Sequence, residues 1–343
     1  MKAHLERLIA REDLGFAGAS EAMGIIMRGD ATPVEIAGFL VGLRVKGESP
    51  AEIAGCVSAL RAHVIPVTPA RRDLVDVVGT GGDGANTFNI STAAALVVAS
   101  CGGAVAKHGN RALSSLAGSA DALEALGVAI DLPPVAVATL VDEVGFGFMF
   151  APNHHPAMRH AGPVRRELGV RTVMNLLGPL TNPASVPTQV IGVPRPDLVD
   201  VFAEVARELG TTRTIVVHGA GGLDELSPAG VSLMATVEGD RITKVPVVPK
   251  TLGIAACPPD ALRGGNAIDN AATIRAIFAG ARGPKRDAVT LNAAAGLVAT
   301  GMADGLADGL AQASAAIDDG RTEDTLYRLV RRSRELAGLD MET

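Results

Sequence analysis

Hydrophobic residues recur at helical spacing through the first 60 residues of the chain. Four segments carry this pattern: LERLIA, SEAMGIIMRG, TPVEIAGFLVGLRVKG and SPAEIAGCVSALRAH. The last two begin with a capping residue, a proline and then a glutamate, in the order TPVE at residues 32–35 and SPAE at residues 49–52. That order is typical of a helix N-terminus. The pattern predicts an all-helical N-terminal unit of about four helices.

After residue 69 the pattern alternates between short apolar runs and helical segments. Strands are predicted at residues 74–78, 104–106, 128–131, 147–150, 188–193 and 214–218, and helices at 93–100, 119–126, 163–168, 197–209 and 287–300. We expect Ser91 or Thr92 to cap the helix at 93–100. Such alternation is typical of an open, mostly parallel sheet. The predicted fold class is α/β, with a small all-helical domain beside a larger α/β domain.

Composition supports this fold class and narrows the functions. The chain has 343 residues, 48% hydrophobic, with 40 glycines and no tryptophan, so small aliphatic side chains must fill the interior of one or two domains. The net charge of -6 argues against broad electrostatic binding of nucleic acid.

Cysteine usage and hydropathy indicate where the protein resides. The three cysteines are widely spaced and form no C-x-x-C motif, so a reduced, cytoplasmic compartment is expected. No segment offers about 18 uncharged apolar residues, and the N-terminus lacks the apolar core of a signal peptide. We therefore expect a soluble protein that has no membrane partner and is not exported.

The loop after the first predicted strand, VVGTGGDGANTFNIST at residues 77–92, satisfies the G-x-G-x-x-G pattern of dinucleotide-binding folds. That fingerprint also needs a helix at its last glycine and a carboxylate about 20 residues later, and both are missing here. No G-K-[ST] follows, which excludes a Walker A loop. We interpret the loop as an anion cradle, with Asn89, Ser91 and Thr92 at the positive end of a helix. A tight turn that uses glycine for shape alone is the alternative.

A second polar loop, AKHGNRALSSLAGS at residues 106–119, follows the next predicted strand. Lys107, His108, Asn110 and Arg111 place two cations, a titratable ring and an amide within five residues. Because the loop follows a neighbouring predicted strand, as the glycine loop follows the first, a composite oxyanion pocket is favoured over a solvated turn.

A third loop, VHGAGGLDELS at residues 217–227, contains adjacent carboxylates. Within a loop, Asp224 and Glu225 can both face one Mg²⁺, directly or through water. An acidic pair that complements a helix dipole is the alternative.

A fourth segment, FAPNHHPAMRHAGPVRR at residues 150–166, contains three histidines. A zinc site is disfavoured because no cysteine or carboxylate has the usual ligand spacing. Arg165 is predicted to open a helix, where it can form a bidentate bond to a carboxylate. Alternatively, Arg165 or Arg166 belongs to a solvated helical face.

These four segments, together with RTVMNLLGPLTNP at residues 171–183, resemble the anthranilate phosphoribosyltransferase family of tryptophan biosynthesis. The combination of GTGGD, KHGNR, NLLGPLTNP and HG..GLDE is highly specific, and the resemblance covers nearly the whole chain. It implies a helical domain at residues 1–68 with a returning segment at 163–183. It also implies an α/β phosphoribosyltransferase domain at 69–162 and 184–343, and a homodimer formed through the helical domain.

The resemblance implies that the amino group of anthranilate attacks the anomeric carbon of phosphoribosyl pyrophosphate and releases pyrophosphate, with Mg²⁺ as cofactor. It assigns phosphoribosyl pyrophosphate to Gly79, Thr80, Gly82, Asp83, Thr87, Asn89, Ser91, Thr92, Lys107, Ser114 and Ser119. It assigns Mg²⁺ to Ser91, Asp224 and Glu225, and anthranilate to Gly79, His108, Asn110, Pro152, His155, Met158, Arg165 and Gly178. Arg165 would pair with the anthranilate carboxylate, Asn110 would orient the amine, and His108 would orient it too rather than accept a late proton.

Three positions depart from the family pattern. Serine is commoner at Ala117, lysine sometimes stands at Leu116, and an acidic residue is common at Gly221. The departures put one phosphate-side hydrogen bond in doubt, but they leave the expected metal ligands and Arg165 unchanged.

Other functions are open at this point. The rivals are a pyrimidine nucleoside phosphorylase, a non-catalytic relative that binds nucleic acid, and a nicotinamide dehydrogenase. No nucleic-acid partner is expected from the acidic charge, whereas a glutamine amidotransferase partner (anthranilate synthase) is left open.

Overall fold

The computed structural model describes residues 1–112 and 116–339. Its α-helices are α1 Lys2–Ile9, α2 Gly15–Arg28, α3 Pro33–Lys46, α4 Pro50–Arg61, α5 Ile90–Ser100, α6 Ser119–Ala125, α7 Pro134–Val144, α8 Ala151–His154, α9 Met158–Leu168, α10 Met174–Leu177, α11 Asp197–Glu208, α12 Ala267–Phe278, α13 Pro284–Thr300, α14 Leu306–Asp318 and α15 Arg321–Leu336. Its strands are β1 Leu74–Gly79, β2 Ala104–Gly109, β3 Phe146–Phe150, β4 Thr188–Gly192, β5 Arg213–His218, β6 Ser232–Glu238 and β7 Arg241–Val247.

Both predicted helix starts in the N-terminal unit are confirmed as capping boxes. The Thr32 hydroxyl accepts from Glu35 N at 3.3 Å, and the Glu35 carboxylate accepts from Thr32 N at 2.9 Å. Ser49 and Glu52 make the same reciprocal pair at the start of α4. Helices α9 and α10 return to pack against α2, α3 and α4.

The sheet has the strand order β3-β2-β1-β4-β5-β6-β7. Strands β1 to β5 are parallel, and β6 and β7 are antiparallel additions at one edge. This mostly parallel sheet confirms the predicted fold class. Strand order reverses between β1 and β4, and ligands of open α/β sheets bind at such a switch point, beyond the carboxyl ends of the strands.

Each face of the sheet is covered by its own hydrophobic layer. Consecutive strand residues point to opposite faces, so Val190 joins the layer formed with α5 and α13, while Ile191 joins the layer formed with α4 and α11. The N-terminal helices therefore share a core with one face of the sheet. Among the described residues, no helix is long and apolar enough to cross a membrane.

Residues 128–131 do not form the predicted strand. Val128 and Ile130 are buried, but Val128 N bonds to Leu123 O at the end of α6, and Ala129 N bonds to the Ser333 hydroxyl on α15. The apolar run is thus held between two helices and has no place in the sheet, which a short hydrophobic pattern alone does not reveal.

Three element boundaries differ from expectation in ways that move site residues. Helix α5 begins at Ile90 after Asn89, so Ser91 and Thr92 lie in its first turn and do not cap it. Strand β2 continues to Gly109, which places His108 on the strand. Helix α9 begins at Met158, so Arg165 lies in its last turn and does not open it.

Candidate active site

The glycine loop leaves β1 at the switch point of the sheet. Thr80 N donates to Gly192 O on β4 at 2.9 Å, and Gly81 N donates to Asp224 Oδ2 at 2.6 Å. A Cβ atom on Gly79 would lie 2.2 Å from Asp224 Oδ2, and one on Gly192 would lie 1.4 Å from Asp224 O. Glycine at these two strand ends therefore allows the acidic loop to approach the glycine loop.

Three carboxylates meet where the two loops touch. Asp83, Asp224 and Glu225 each contribute one carboxylate oxygen, and these three oxygens lie within 4.8 Å of one another. Burial raises the pKa of Asp224 to about 6, and burial together with the charges of Asp224 and Asp83 raises the pKa of Glu225 well above its ordinary value. The predicted pair Asp224 and Glu225 is thus brought together, and Asp83 joins it.

This cluster has the chemistry of a Mg²⁺ site. Asp83 Oδ2 and Glu225 Oε2 are buried and have no hydrogen-bond partner within the described ranges. Buried carboxylates that repel one another need a counter-charge, and carboxylate oxygen is the ligand that Mg²⁺ prefers. Ser91 is half-buried in the first turn of α5, and its role as a ligand stays a prediction.

Lys107 supplies a buried positive charge beside the cluster. Its side chain is 1% exposed, and Nζ donates to Val77 O. Burial lowers its pKa, whereas the negative charges of Asp76, Glu225 and Asp224 oppose that shift. Lys107, near the end of β2, therefore places a positive charge near the carboxylates, and this charge can bind a phosphate group.

His108 follows Lys107 on the same strand and contacts a different group of residues. Its Nδ1 lies 3.2 Å from Gly178 O, and its Nε2 lies 3.1 Å from Nε2 of His155. Because a carbonyl can only accept, His108 Nδ1 carries the proton, and His155 Nε2–H donates to His108 Nε2. Burial lowers the pKa of His108 to about 3 and that of His155 to about 4, so both rings are neutral near pH 7.

Arg165 is half-buried in the last turn of α9, and its placement beside the rings of His108 and His155 stays a prediction. Burial lowers the pKa of its guanidinium, and among the described residues no hydrogen bond or ion pair holds it. Arg166 is exposed on the same turn of α9. Pro152 is exposed on α8 and Met158 is half-buried at the start of α9. A partly desolvated guanidinium without a partner is suited to a carboxylate ligand.

The four polar residues of the second loop do not form one pocket. Lys107 and His108 are adjacent on a strand, so their side chains serve opposite sides. Arg111 is exposed and forms ion pairs with Asp121 and Glu124 on α6, at 2.9 and 2.8 Å. The expected oxyanion pocket therefore lacks Arg111, because α6 supplies carboxylates that neutralise it.

Among the predicted phosphate-side residues, Asn89 joins the end of the glycine loop to two other segments. Asn89 Nδ2 donates to Ala117 O at 3.1 Å, and Asn89 Oδ1 accepts from Asn270 at 2.9 Å. The Ser119 hydroxyl donates to Asn110 O at 3.4 Å. The Thr92 hydroxyl is buried and has no partner in the described part of the chain.

The remaining predicted residues occupy the surroundings of this site. Thr87 forms an isolated β-bridge with Arg263, and Gly82 O accepts from Arg171 at 3.3 Å. Ser114 lies outside the described residues. At the departures from the family pattern, Leu116 is 67% exposed, Ala117 is buried and Gly221 adopts a φ of 84°.

The sequence pattern did not identify Asp76, Asn182, Asn270 or Arg171. Asp76 left one signal, because a carboxylate interrupts the apolar run LVDVV of a buried strand. Asn182 lies within the motif RTVMNLLGPLTNP, but the motif did not reveal its partner, and Asn270 gave no signal, since the bonds of both residues join segments that are far apart in the chain.

Two family models match the chain. The a/b domain of the glycosyl transferase family matches residues 71–323, and the helical bundle domain of that family matches residues 2–64.

Curated relatives match over nearly the full length. The chain is 54% identical over 337 residues to the anthranilate phosphoribosyltransferase of Thermomicrobium roseum, covering 97% of each chain. It is 50% identical over 330 residues to that of Moorella thermoacetica, covering 96% of this chain and 97% of the relative.

Solved structures also match over nearly the full length of the chain. Anthranilate phosphoribosyltransferase from Thermus thermophilus superposes with a TM-score of 0.92 at 46% identity, covering 96% of this chain and 99% of that one. The enzyme from Saccharomyces cerevisiae in complex with PRPP and Mg superposes with a TM-score of 0.88 at 26% identity, covering 97% of both.

Proposed function

This chain belongs to the anthranilate phosphoribosyltransferase family of glycosyl transferases, and we propose that it catalyses that family's Mg²⁺-dependent reaction in tryptophan biosynthesis. The amino nitrogen of anthranilate attacks C1 of 5-phosphoribosyl 1-pyrophosphate. The bond from C1 to the pyrophosphate oxygen breaks, and the products are N-(5-phosphoribosyl)anthranilate, pyrophosphate and a proton.

One observation supports this function best: the end of β2 separates two chemically different sides. Lys107 interacts with the carboxylates Asp224 and Glu225, whereas His108, the next residue, contacts Gly178 and His155. A cationic and metal-binding side suits a diphosphate leaving group. A neutral, imidazole-lined side suits an aromatic amine.

The aromatic side holds and orients the nucleophile. An aryl amine is neutral at pH 7, so its attack needs orientation more than an early removal of a proton. Neutral His108 and His155, with Asn110, orient the amine, and Arg165 pairs with the carboxylate of anthranilate. The histidines keep no positive charge that would repel the amine as it becomes positive during attack.

The phosphate side neutralises the leaving group. Backbone N–H groups of residues 82–84, the first turn of α5 and the Lys107 ammonium face the pyrophosphate and the ribose phosphate. Asp224, Glu225 and Ser91 would hold Mg²⁺, with Asp83 nearby. The bound ion would act as a Lewis acid that takes up negative charge on the departing oxygens. The chain therefore lowers the barrier through charge neutralisation and alignment.

The decisive experiment mixes the protein with Mg²⁺, phosphoribosyl pyrophosphate and anthranilate and follows the fluorescence of anthranilate. We expect its loss, together with release of one pyrophosphate per anthranilate. Unchanged fluorescence would refute the proposal. Phosphorolysis of thymidine or uridine in its place would favour a pyrimidine nucleoside phosphorylase. Salt-sensitive DNA binding without transfer would favour the nucleic-acid-binding relative.

We further propose that the enzyme is a cytoplasmic homodimer, associated through its helical unit. Exposed apolar side chains on α1 and α3 support the dimer: Ile9 and Val34 are each 82% exposed, and Val45 is 66% exposed. The free thiols of its cysteines suit a reducing compartment. A glutamine amidotransferase partner would be tested by co-purification from cells.

A further inference from the structure

A closed ring of hydrogen bonds adjoins His108 and contains the buried side chains of Asn182 and Asp76. Asn182 is 1% exposed and Asp76 is 0% exposed. Asn182 Nδ2 donates to Asp76 Oδ2 at 2.7 Å and to Ala106 O at 2.8 Å. Asn182 Oδ1 accepts from Ala184 N at 2.8 Å. Both N–H groups of this amide are therefore engaged, and its orientation is fixed.

The ring closes through the aromatic side of the site. The Asp76 oxygen that binds Asn182 also accepts from the backbone N of His108 at 3.3 Å. The His108 ring donates to Gly178 O at 3.2 Å, and the Thr181 hydroxyl donates to the same carbonyl at 3.2 Å. Since residues 178–182 form one short segment, the bonds join β1, β2 and this segment.

We infer that Asn182 and Asp76 are positioning residues that hold Gly178 against His108 and thereby orient the aromatic amine for attack. This inference rests on the proposed transfer reaction. Neither side chain reaches the substrate in this arrangement; both act through His108 and the 178–182 segment. Removing the amide leaves Asp76 Oδ2 without its closest partner in a buried site, so the segment shifts away from β2. Displacements of about 1 Å in a site cost large factors in rate.

The test measures how a substitution changes the Michaelis constant for each of the two substrates. Asn182→Leu keeps the branching and the number of heavy atoms of the side chain and removes its hydrogen bonds. We expect the Michaelis constant for anthranilate to rise about tenfold, while that for phosphoribosyl pyrophosphate stays within about twofold. If this variant does not fold, Asn182→Ser, which is too short to reach Asp76, is measured with the same expectation.

Asn292 provides a matched control on the other side of the site. It is 2% exposed, its Nδ2 donates to Leu226 O and Ala288 O, and its Oδ1 accepts from Leu226 N. It therefore has the same number of bonds as Asn182 but holds the acidic loop next to Glu225. Asn292→Leu should raise the Michaelis constant for phosphoribosyl pyrophosphate and leave that for anthranilate within about twofold.

A conservative variant completes the design. Asp76→Asn keeps one oxygen to accept from Asn182 and from His108 N, and it removes the negative charge near Lys107. Because the hydrogen bonds to Asn182 and His108 remain, the Michaelis constant for anthranilate should stay within about twofold of the wild-type value. Equal rises of both constants in Asn182→Leu, or a rise for anthranilate in Asn292→Leu of the same size, would overturn the positioning role. A wild-type protein that transfers nothing would instead refute the proposed function.

Discussion

Arg165 provides the clearest test of substrate recognition by a single residue. Its guanidinium is half-buried and no group within the described ranges pairs with it, so a bound carboxylate would be its partner. Loss of a charge-assisted hydrogen bond costs about 1.5–3 kcal/mol. We expect Arg165→Ala to raise the Michaelis constant for anthranilate about 10- to 100-fold and to change that for phosphoribosyl pyrophosphate about twofold at most.

Arg166→Ala is the matched control, because Arg166 is the exposed neighbour on the same turn of α9. Steady-state kinetics with each substrate varied in turn measure both variants. If Arg165→Ala weakens both substrates equally, Arg165 does not bind the anthranilate carboxylate.

The raised carboxyl pKa values predict how pH changes the response to Mg²⁺. Burial raises the pKa of Asp224 to about 6, and burial together with the charges of Asp224 and Asp83 raises the pKa of Glu225 well above its ordinary value. A carboxyl whose pKa is higher in the folded protein contributes stability at low pH, and that contribution is lost as pH rises through the folded value. A divalent cation restores it by compensating the ionised pair. Mg²⁺ should therefore raise Tm by more at about pH 7.5 than at about pH 5.

Scanning fluorimetry with and without Mg²⁺ at the two pH values measures this effect. Asp224→Asn combined with Glu225→Gln removes both charges, so its Tm should respond little to Mg²⁺ at either pH. A shift in the double variant as large as in the wild type would contradict the ligand assignment.

Residues adjacent in sequence were predictable, while those brought together by folding were not. Asp224 and Glu225 stand side by side in a polar loop, so their joint role was visible in the chain. Asp83 joins them across 140 intervening positions only because Gly79 and Gly192 let the two loops touch. Lys107 and Arg111 carry similar charges in one motif, yet only the structure shows that α6 neutralises Arg111.

At the scale of elements, the two capping boxes have the same sequence pattern and different surroundings. Glu35 is half-buried and its carboxylate binds Thr32. Glu52 is 0% exposed and also accepts from Leu14 N at 2.9 Å and Lys46 Nζ at 2.8 Å. The Glu52 carboxylate thus links the start of α4 to the start of α2 by a hydrogen bond and to the end of α3 by an ion pair. Removing one partner of a buried ion pair costs about 3–5 kcal/mol. We expect Glu52→Ala to lower the free energy of unfolding by about that amount.

Glu35→Ala is the matched variant at the start of α3 and should cost much less, because its cap is solvated. Urea denaturation followed by circular dichroism compares the two. Similar losses in both variants would show that the buried contacts of Glu52 add nothing to its cap.

Strand β7 was not predicted, because its sequence lacks a clear apolar period. Strand β7 reads RITKVPV and is largely exposed at the sheet edge, so its polar residues hide it. Conversely, residues 128–131 are apolar enough for a strand but lie between α6 and α15. Strands β1, β4 and β5 were predictable because both faces are buried and β-branched residues dominate.

At the scale of the whole molecule, we propose that residues 1–68 and the returning segment 163–183 act as one unit. Helices α9 and α10 pack on α2, α3 and α4, which supports this division. The same unit shares a hydrophobic layer with α11 and one face of the sheet. Its outer surface is therefore where a second copy of the chain would bind.

Helix α3 carries the apolar stripe on which the proposed homodimer depends. Val34, Val41 and Val45 are 82%, 38% and 66% exposed, and their spacing of seven and four residues places them on one face. Glutamates at positions 41 and 45 would place two carboxylates within an interface of about 800 Å² per partner, where they lack water and counter-ions. We expect Val41→Glu combined with Val45→Glu to give a monomer in sedimentation velocity.

Val135→Glu is the control, because Val135 is 78% exposed on α7, away from this stripe, and should leave the dimer intact. All the proposed site residues come from one chain, so the monomer should retain transfer activity while its Tm falls with the lost interface. A double variant that stays dimeric would place the interface on another surface. A monomer without activity would mean that the second copy stabilises the site across the helical unit.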